Sequence, residues 1–408
     1  MKYFKNTELA KLYHVSEKSV RNWIEAAAAG KLDLQLFEKN KKNFIANTSK
    51  NTLLIEKQVE KGKKFRNTRG LKNINPRKEF YKLYNRKQII DIVSNIAIHR
   101  EIPLQYGYFD GGAQFWDSYS SRLANEQNPN ILTSTVELLD IDFPYISRLL
   151  GDTKKVNVVD LGPGNGIATR EVLAKLLHEG RLNRYIVLDI SPDLLTILKK
   201  NIHSWFGGRI EVESYIRNFA EERFDDLFAE ERYKMNDSPK NLVFLLGGTL
   251  SNLRSPDHAL RVINDSLGSN DLLLCSSYLD TPSTRRYFDF TTSGDKKFSP
   301  PSMTTLGLLG IDESLCDIEL IFNEAQHSRL RWMKPKIDLL VQFELAGESW
   351  NVELQKGEPI LLWRHKHYSY IDIVKLFDKN GFSPIQTTKS TDQNYLLSIL
   401  KIKTGIIS

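Results

Sequence analysis

Val156-Asn157-Val158-Val159-Asp160-Leu161-Gly162-Pro163-Gly164-Asn165-Gly166 is the stretch whose reading decides the fold. A short apolar run ends in Asp160, glycines follow at 162, 164 and 166, and Ile167–Leu173 then has helical character. Strand, glycine turn and helix in that order make the first unit of a doubly wound α/β domain. The glycines let the backbone take positive φ and leave no side chain where a ligand approaches the main chain. A ligand-free β–α turn uses the same residues, so the segments downstream decide between the two.

After a helix over Thr169–Leu177, Arg184–Ser191 reads as a second buried strand ending in Asp189. An acid there can accept hydrogen bonds from both hydroxyls of a ribose. Ile210–Ile216 is a third strand leading to Asn218, and Asn241–Leu246 a fourth leading to Gly247-Gly248-Thr249-Leu250-Ser251-Asn252. Leu272–Ser276 is a fifth, with Tyr278 just beyond it. Open parallel sheets bind ligands at the carboxyl ends of their strands, where Asp160, Asp189, Asn218 and 247–252 all fall.

The glycines are spaced G-x-G-x-G directly after an acid, unlike the G-x-G-x-x-G of dinucleotide binders. This combination resembles the class I S-adenosyl-L-methionine-dependent methyltransferases; an NAD-dependent oxidoreductase is the alternative cofactor reading. The resemblance implies a Rossmann-like α/β sheet. It also implies that Asp160, Gly162, Pro163, Gly164 and Gly166 lie by the methionine part, Asp189 takes the ribose and Asn218 the adenine amine. Gly247, Gly248 and Thr249 complete the cofactor side.

Leu245–Leu253 is similar to the G-S-T-I-G-N-F segment of the histidine-specific Nα-methyltransferases. Glu358-Pro359-Ile360, His367-Tyr368-Ser369 and Phe377–Phe382 continue that likeness, which spans roughly residues 105–402. It implies that Asn252 touches an amino-acid substrate. The chain departs from the family at two places. Trp363 and His365 stand where a Glu and a Ser hold the substrate's imidazole, and Asn128–Thr133 replaces a Tyr-Tyr-Pro-Thr segment. The expected reaction is N-methylation of an amino-acid-like or other small amine that need not be histidine. Tyr278 and His365 are further candidates for the pocket, and His365 or His367 for a proton acceptor.

The first quarter of the chain differs from this body. Residues 1–90 are rich in Lys and Arg, as in Lys39-Asn40-Lys41-Lys42 and Lys61–Arg66, whereas the whole chain carries a formal charge of only +7. Such a surface suits phosphates, and equally a solvated exterior. Asn6 or Thr7 is expected to cap a short helix, His14-Val15-Ser16 to turn, and Ser16 to cap a second helix with Val20, Trp23 and Ile24 on one face. This resembles the helix-turn-helix of excisionase and MerR-type proteins. That resemblance implies DNA contacts from Ser16, Lys18, Ser19, Arg21 and Asn22, with Phe44-Ile45-Ala46 as a wing strand. A protein-docking or purely structural hairpin is the alternative. Residues 56–79 have few apolar positions and read as a linker; Tyr84–Ile98 has good helical period.

The fold expected is thus α/β. A helix-turn-helix-like basic head (1–50) leads to a basic linker and helix (51–100), a methyltransferase core with an aromatic lid (101–290) and a C-terminal α+β lobe (291–408). The lid is the run Tyr106, Tyr108, Phe109, Phe115, Trp116 and Tyr119. Ser299-Pro300-Pro301-Ser302 is read as a loop, and Arg364-His365-Lys366-His367 as a basic strand edge without a metal. Two cysteines, Cys275 and Cys316, do not make a disulfide framework. No apolar run approaches the roughly 20 residues that span a bilayer, and Met1–Lys5 lacks a signal-peptide core, so a cytoplasmic location is expected. The expected partners are a small-molecule acceptor and, through the head, DNA. A second functional class also fits: a DNA-binding regulator whose methyltransferase fold senses the cofactor or serves as a scaffold.

Overall fold

A computed structural model describes residues 3–13, 15–39, 42–67, 71–232, 239–287, 300–345 and 347–403, with backbone alone at 60–67, 232, 287 and 300–303. His14 of the expected turn, Lys41 beside the expected wing and Ser299 lie outside the described residues. The chain divides into two compact units, residues 1–73 with 337–340, and residues 74–336 with 341–408.

The first unit contains β1 (Tyr3–Phe4), α1 (Asn6–Leu12), α2 (Glu17–Ala28), β2 (Leu36–Lys39), β3 (Lys42–Ala46) and α3 (Ser49–Asn67). Ser16 Oγ accepts the Ser19 N–H at 3.1 Å and caps α2 as expected. Asn6 and Thr7 do not cap α1. Lys5 is its N-cap, and the Glu8 carboxylate accepts the Lys5 N–H at 3.2 Å, so an acid at the third helical position does the work of a polar cap side chain. Leu9, Val20, Ile45 and Ile55 form the core, with Trp23 and Ile24 packed against it. The expected wing strand lies in β3, central in an antiparallel sheet of order β1-β3-β2.

Much of the expected linker over 56–79 is instead α3. Its first turns place Leu54, Ile55 and Val59 on the core. The Asn51 amide donates to the Gln35 and Ala46 carbonyls at 2.8 Å each. One apolar face suffices for a small core, so the sequence carries little helical signal beyond it.

After β4 (Lys72–Ile74), the second unit runs through α4 (Lys78–Leu83), α5 (Arg86–Ser94), α6 (Gly112–Ala124) and α7 (Ile131–Leu150) into β5 (Val156–Leu161). Alternation follows: α8 (Arg170–His178), β6 (Leu182–Asp189), α9 (Pro192–Phe206), β7 (Val212–Ile216), α10 (Ala229–Arg232), β8 (Lys240–Leu245), α11 (Thr249–Asn252), α12 (Pro256–Ser266) and β9 (Leu272–Tyr278). Tyr278 is therefore the last residue of its strand rather than a loop residue. Next come α13 (Pro282–Tyr287), α14 (Pro300–Leu308), β10 (Cys316–Asn323), β11 (Ser328–Pro335), β12 (Leu339–Leu345), β13 (Glu348–Leu354) and β14 (Ile360–Lys366). The chain closes with α15 (Tyr370–Lys379), β15 (Phe382–Lys389) and β16 (Tyr395–Ile402). The expected loop at Ser299–Ser302 is helical from Pro300, a first-turn position where proline's missing N–H costs nothing.

The main sheet has the order β15-β16-β9-β8-β5-β6-β7. Strands β5 to β9 are parallel, and β16 is antiparallel to both β9 and β15. Val156, Val158 and Val187 face one apolar layer with α7, α8 and α9; Val159, Leu161 and Leu188 face the other. Burial on both sides is why these strands read as continuous apolar runs. The strand order reverses at β5, between β6 and β8, and a ligand crevice opens at that point. Of the expected C-terminal lobe, β10, β11 and β14 form a separate sheet, order β10-β11-β14, and β12 and β13 lie side by side in another; α15, β15 and β16 return to the main layer.

Candidate cofactor and acceptor site

Gly162, Gly164 and Gly166 have φ of 66°, 59° and 84°, the conformation their spacing predicted. The loop is tied at both ends: the Gly162 N–H donates to Leu188 O at 2.9 Å, and the Gly166 N–H to Pro163 O at 3.1 Å. Aromatic rings from elsewhere border its bare backbone. A Cβ on Gly162 would lie 3.3 Å from the Phe219 ring, and one on Gly164 3.5 Å from Trp116 Nε1. Trp116 sits on α6 with its ring 5.7 Å from Tyr108 and 5.3 Å from Tyr119. Asn165 Nδ2 donates to Asp117 Oδ1 at 2.8 Å and locks helix to loop. The aromatic run thus splits by role: Tyr106 and Phe109 are core, while Tyr108 and Trp116 face the ligand end.

Asp160 is buried and accepts the Tyr185 hydroxyl at 3.2 Å. Burial pushes its carboxyl up to about 7, against the hydrogen bonds from Thr169 and Tyr185. Asp189, at the end of β6, accepts the Ser191 N–H at 2.9 Å; burial pushes it up to about 6. Asn218 follows β7, and its Oδ1 accepts the Ala220 N–H at 3.2 Å, which fixes its turn. Gly247 and Gly248 have φ of 74° and 80°, and the Gly247 N–H donates to Ser276 Oγ at 2.8 Å. Thr249 uses its hydroxyl to donate to Leu246 O at 2.9 Å, so it braces the turn. Two buried acids on adjacent strand ends, with a bare glycine loop between them, fit a ligand with paired hydroxyls and a cationic centre.

Beyond this crevice the Gly248 turn meets β9 and β14. A Cβ on Gly248 would lie 2.7 Å from Tyr278 Cε2 and 3.9 Å from Ile131. The Tyr278 ring stands edge-on to His365 at 4.9 Å and 5.5 Å from Tyr395; Trp363 lies parallel to His365 at 6.0 Å. Arg331 pairs with Trp363 across the β11–β14 ladder and places its guanidinium 5.9 Å from that ring. Gly248, Tyr278 and His365, far apart in sequence, therefore share one corner, and α11, which ends in Asn252, packs against β14 and β9. Burial holds the His365 imidazole well below its ordinary range, and His367 is pushed down to about 4. Both are neutral at pH 7, and a base held that low accepts a proton weakly. Burial thus keeps His365 and His367, the expected proton acceptors, uncharged at neutral pH.

Residues 86–286 match a family model described as histidine-specific methyltransferase, SAM-dependent. They belong to the S-adenosyl-L-methionine-dependent methyltransferases. No curated protein matches the chain. Among solved structures, an S-adenosylmethionine-dependent methyltransferase from Clostridium acetobutylicum is 10% identical at a TM-score of 0.40, over 72% of this chain and 100% of that one. Magnesium protoporphyrin IX methyltransferase from Synechocystis PCC 6803 is 11% identical at 0.38, over 73% and 98%. At those scores neither carries an argument about function. The match sets the cofactor as S-adenosyl-L-methionine, and the chain is a methyltransferase.

Three site residues escaped sequence reasoning. Phe219, Ser276 and Tyr185 act on the glycine turns through space. Their only sequence signal was an aromatic or small polar residue in or just after a strand, which core packing explains as well.

Proposed function

We propose that this methyltransferase methylates the nitrogen of a small amine held between Asn252 and the aromatic face of β14. The observation that carries this reading is Asn252 Oδ1, which is buried and accepts no hydrogen bond among the described residues. A buried amide oxygen calls for a donor, and an acceptor N–H supplies one. S-adenosyl-L-methionine, when bound, supplies an electrophilic methyl group on a sulfonium. The chain's own residues do the rest. Asp189 and Asn218 hold the nucleoside end, and the glycine loop allows close approach. Tyr278, His365 and Trp363 exclude water and add no positive charge beside the amine.

The test is formation of S-adenosylhomocysteine from a panel of primary and secondary amines, histidine included, with the methyl group located by mass spectrometry. Methyl on oxygen, sulfur or carbon, or no turnover by protein that binds the cofactor, would sink the reading. Asn252→Ala is expected to lower kcat/KM for the amine about tenfold, the worth of one hydrogen bond of about 1.4 kcal/mol, with cofactor affinity unchanged.

The head supports a second role. We propose that it binds duplex DNA through α2. Lys18, Arg21 and Asn22 are exposed on α2, Ser16 is exposed at its start and Ser19 half-buried, and the β2–β3 hairpin follows with exposed Lys39 and Lys42. Residues 1–73 hold 17 Lys and Arg against 7 Asp and Glu, a net +10 in a chain of +7 overall. Fluorescence anisotropy with a labelled duplex tests this. Lys18→Ala/Arg21→Ala in the full chain should weaken binding about tenfold and reduce the salt slope by about 2. An unchanged slope removes α2 from the interface.

A further inference from the structure

We propose that Tyr185 is a positioning residue for the cofactor, its hydroxyl joining the two ends of the glycine loop from beneath through a hydrogen bond to Asp160. The side chain lies on β6, completely buried, in the apolar layer under α7, α8 and α9. Most positions of that layer are aliphatic, so a hydroxyl there needs a polar partner. It has two. The Tyr185 hydroxyl donates to Asp160 Oδ2 at 3.2 Å, and Thr169 Oγ1 lies 3.3 Å away. Thr169 Oγ1 in turn donates to the Gly166 carbonyl at 3.2 Å.

The donor roles then follow from valence. When Thr169 gives its one proton to Gly166 O, its contact with Tyr185 offers only lone pairs to share with the tyrosine proton. That proton lies between Thr169 Oγ1 and Asp160 Oδ2, and it is drawn to the carboxylate whenever Asp160 is ionised. The chain Gly166–Thr169–Tyr185–Asp160 thus spans the whole loop, from the acid that starts it to the glycine that ends it. The groups acting on Asp160 are Tyr185 and Asp189 of β6 and Thr169 before α8; its register neighbours Val187 and Phe244 are apolar. Two of the three favour the anion and Asp189 opposes it. Removing the tyrosine hydroxyl takes away one of the two groups that favour the anion and leaves Thr169 alone against burial and Asp189, both of which favour the neutral acid.

The test is binding of S-adenosyl-L-methionine and S-adenosylhomocysteine, followed calorimetrically from about pH 5.5 to 8.5, to wild type and Tyr185→Phe. The variant keeps the ring and the packing. It should bind S-adenosyl-L-methionine about fivefold to tenfold more weakly at pH 7, and its binding-versus-pH curve should move to higher pH. In an Asp160→Asn background the same substitution should add less than about twofold, because the anion it serves is gone. Superimposable pH curves for wild type and Tyr185→Phe overturn the proposal, as does an equal loss with and without Asp160. Neither outcome depends on the acceptor, so the amine reading stands or falls separately.

Discussion

Asp189→Ala is expected to weaken binding of S-adenosyl-L-methionine by about 100- to 1,000-fold. The carboxylate ends β6 beside the glycine loop, where it can accept both ribose hydroxyls; two hydrogen bonds to an ionised group are worth about 3–4 kcal/mol together. Asp189→Asn separates this from a structural effect. It keeps an oxygen for the Ser191 N–H, now held at 2.9 Å, and so keeps the turn. It loses the charge, and should cost about tenfold. Calorimetric titration checks both. The pH dependence has a definite sign. In the ligand-free protein the carboxyl is raised from 3.8 to about 6, so this group stabilises the fold at low pH and costs stability as pH rises through 6. Hydroxyl donors favour the anion, so cofactor affinity should fall as pH drops below about 6. Asp160, at about 7, adds a fall that begins one unit higher. Affinity that stays flat from pH 8 to 5.5 would remove both acids from the cofactor site.

Gly248→Ala is expected to lower kcat/KM for the acceptor by 100-fold or more, about 2.7 kcal/mol of transition-state stabilisation. Two costs combine at this position. The φ of 80° strains any residue with a Cβ, by about 1–3 kcal/mol. The new methyl would also stand 2.7 Å from the Tyr278 ring, which is confined by His365 and Tyr395 and cannot yield freely. Displacing Tyr278 disturbs the corner it shares with His365, beside the helix that carries Asn252, and the thermal midpoint should drop as well. Gly247 is the control. Its φ of 74° is equally unusual, but a Cβ there meets nothing within 4 Å, so Gly247→Ala should carry the strain alone. A second change, Tyr278→Leu, should restore part of the midpoint lost by Gly248→Ala. Equal effects at the two glycines would show that packing against Tyr278 is irrelevant.

The cofactor half of the site was legible in the sequence because each part of it is local. Asp160 and Asp189 lie at the ends of their strands, Asn218 and Gly247 two residues beyond theirs, and chain order alone carries them to one edge of a parallel sheet. The glycines declared their positive φ by being glycine. Helical segments with a long apolar face were equally readable. Helix α3 was not, since it needs only Leu54, Ile55 and Val59 to hold its place on a small core. Lys5 as the cap of α1 escaped for a related reason, because the compensating carboxylate belongs to Glu8, three residues further on.

The acceptor half was a matter of tertiary structure. Trp363 and His365 sit on a sheet of their own, β10-β11-β14, and nothing in their neighbourhood in sequence brings them to Tyr278. Nor does any pattern reveal that burial keeps both imidazoles neutral, or that a tyrosine in the middle of β6 reaches back to Asp160. Periodicity and turn chemistry depend on residues within a few positions of one another, so the sequence alone settled the parallel core and the loop, while the class of cofactor came from the resemblance to a family and the match to its model. Charge state, desolvation and the pairing of distant side chains depend on what surrounds a group in space. Only the folded chain could decide those.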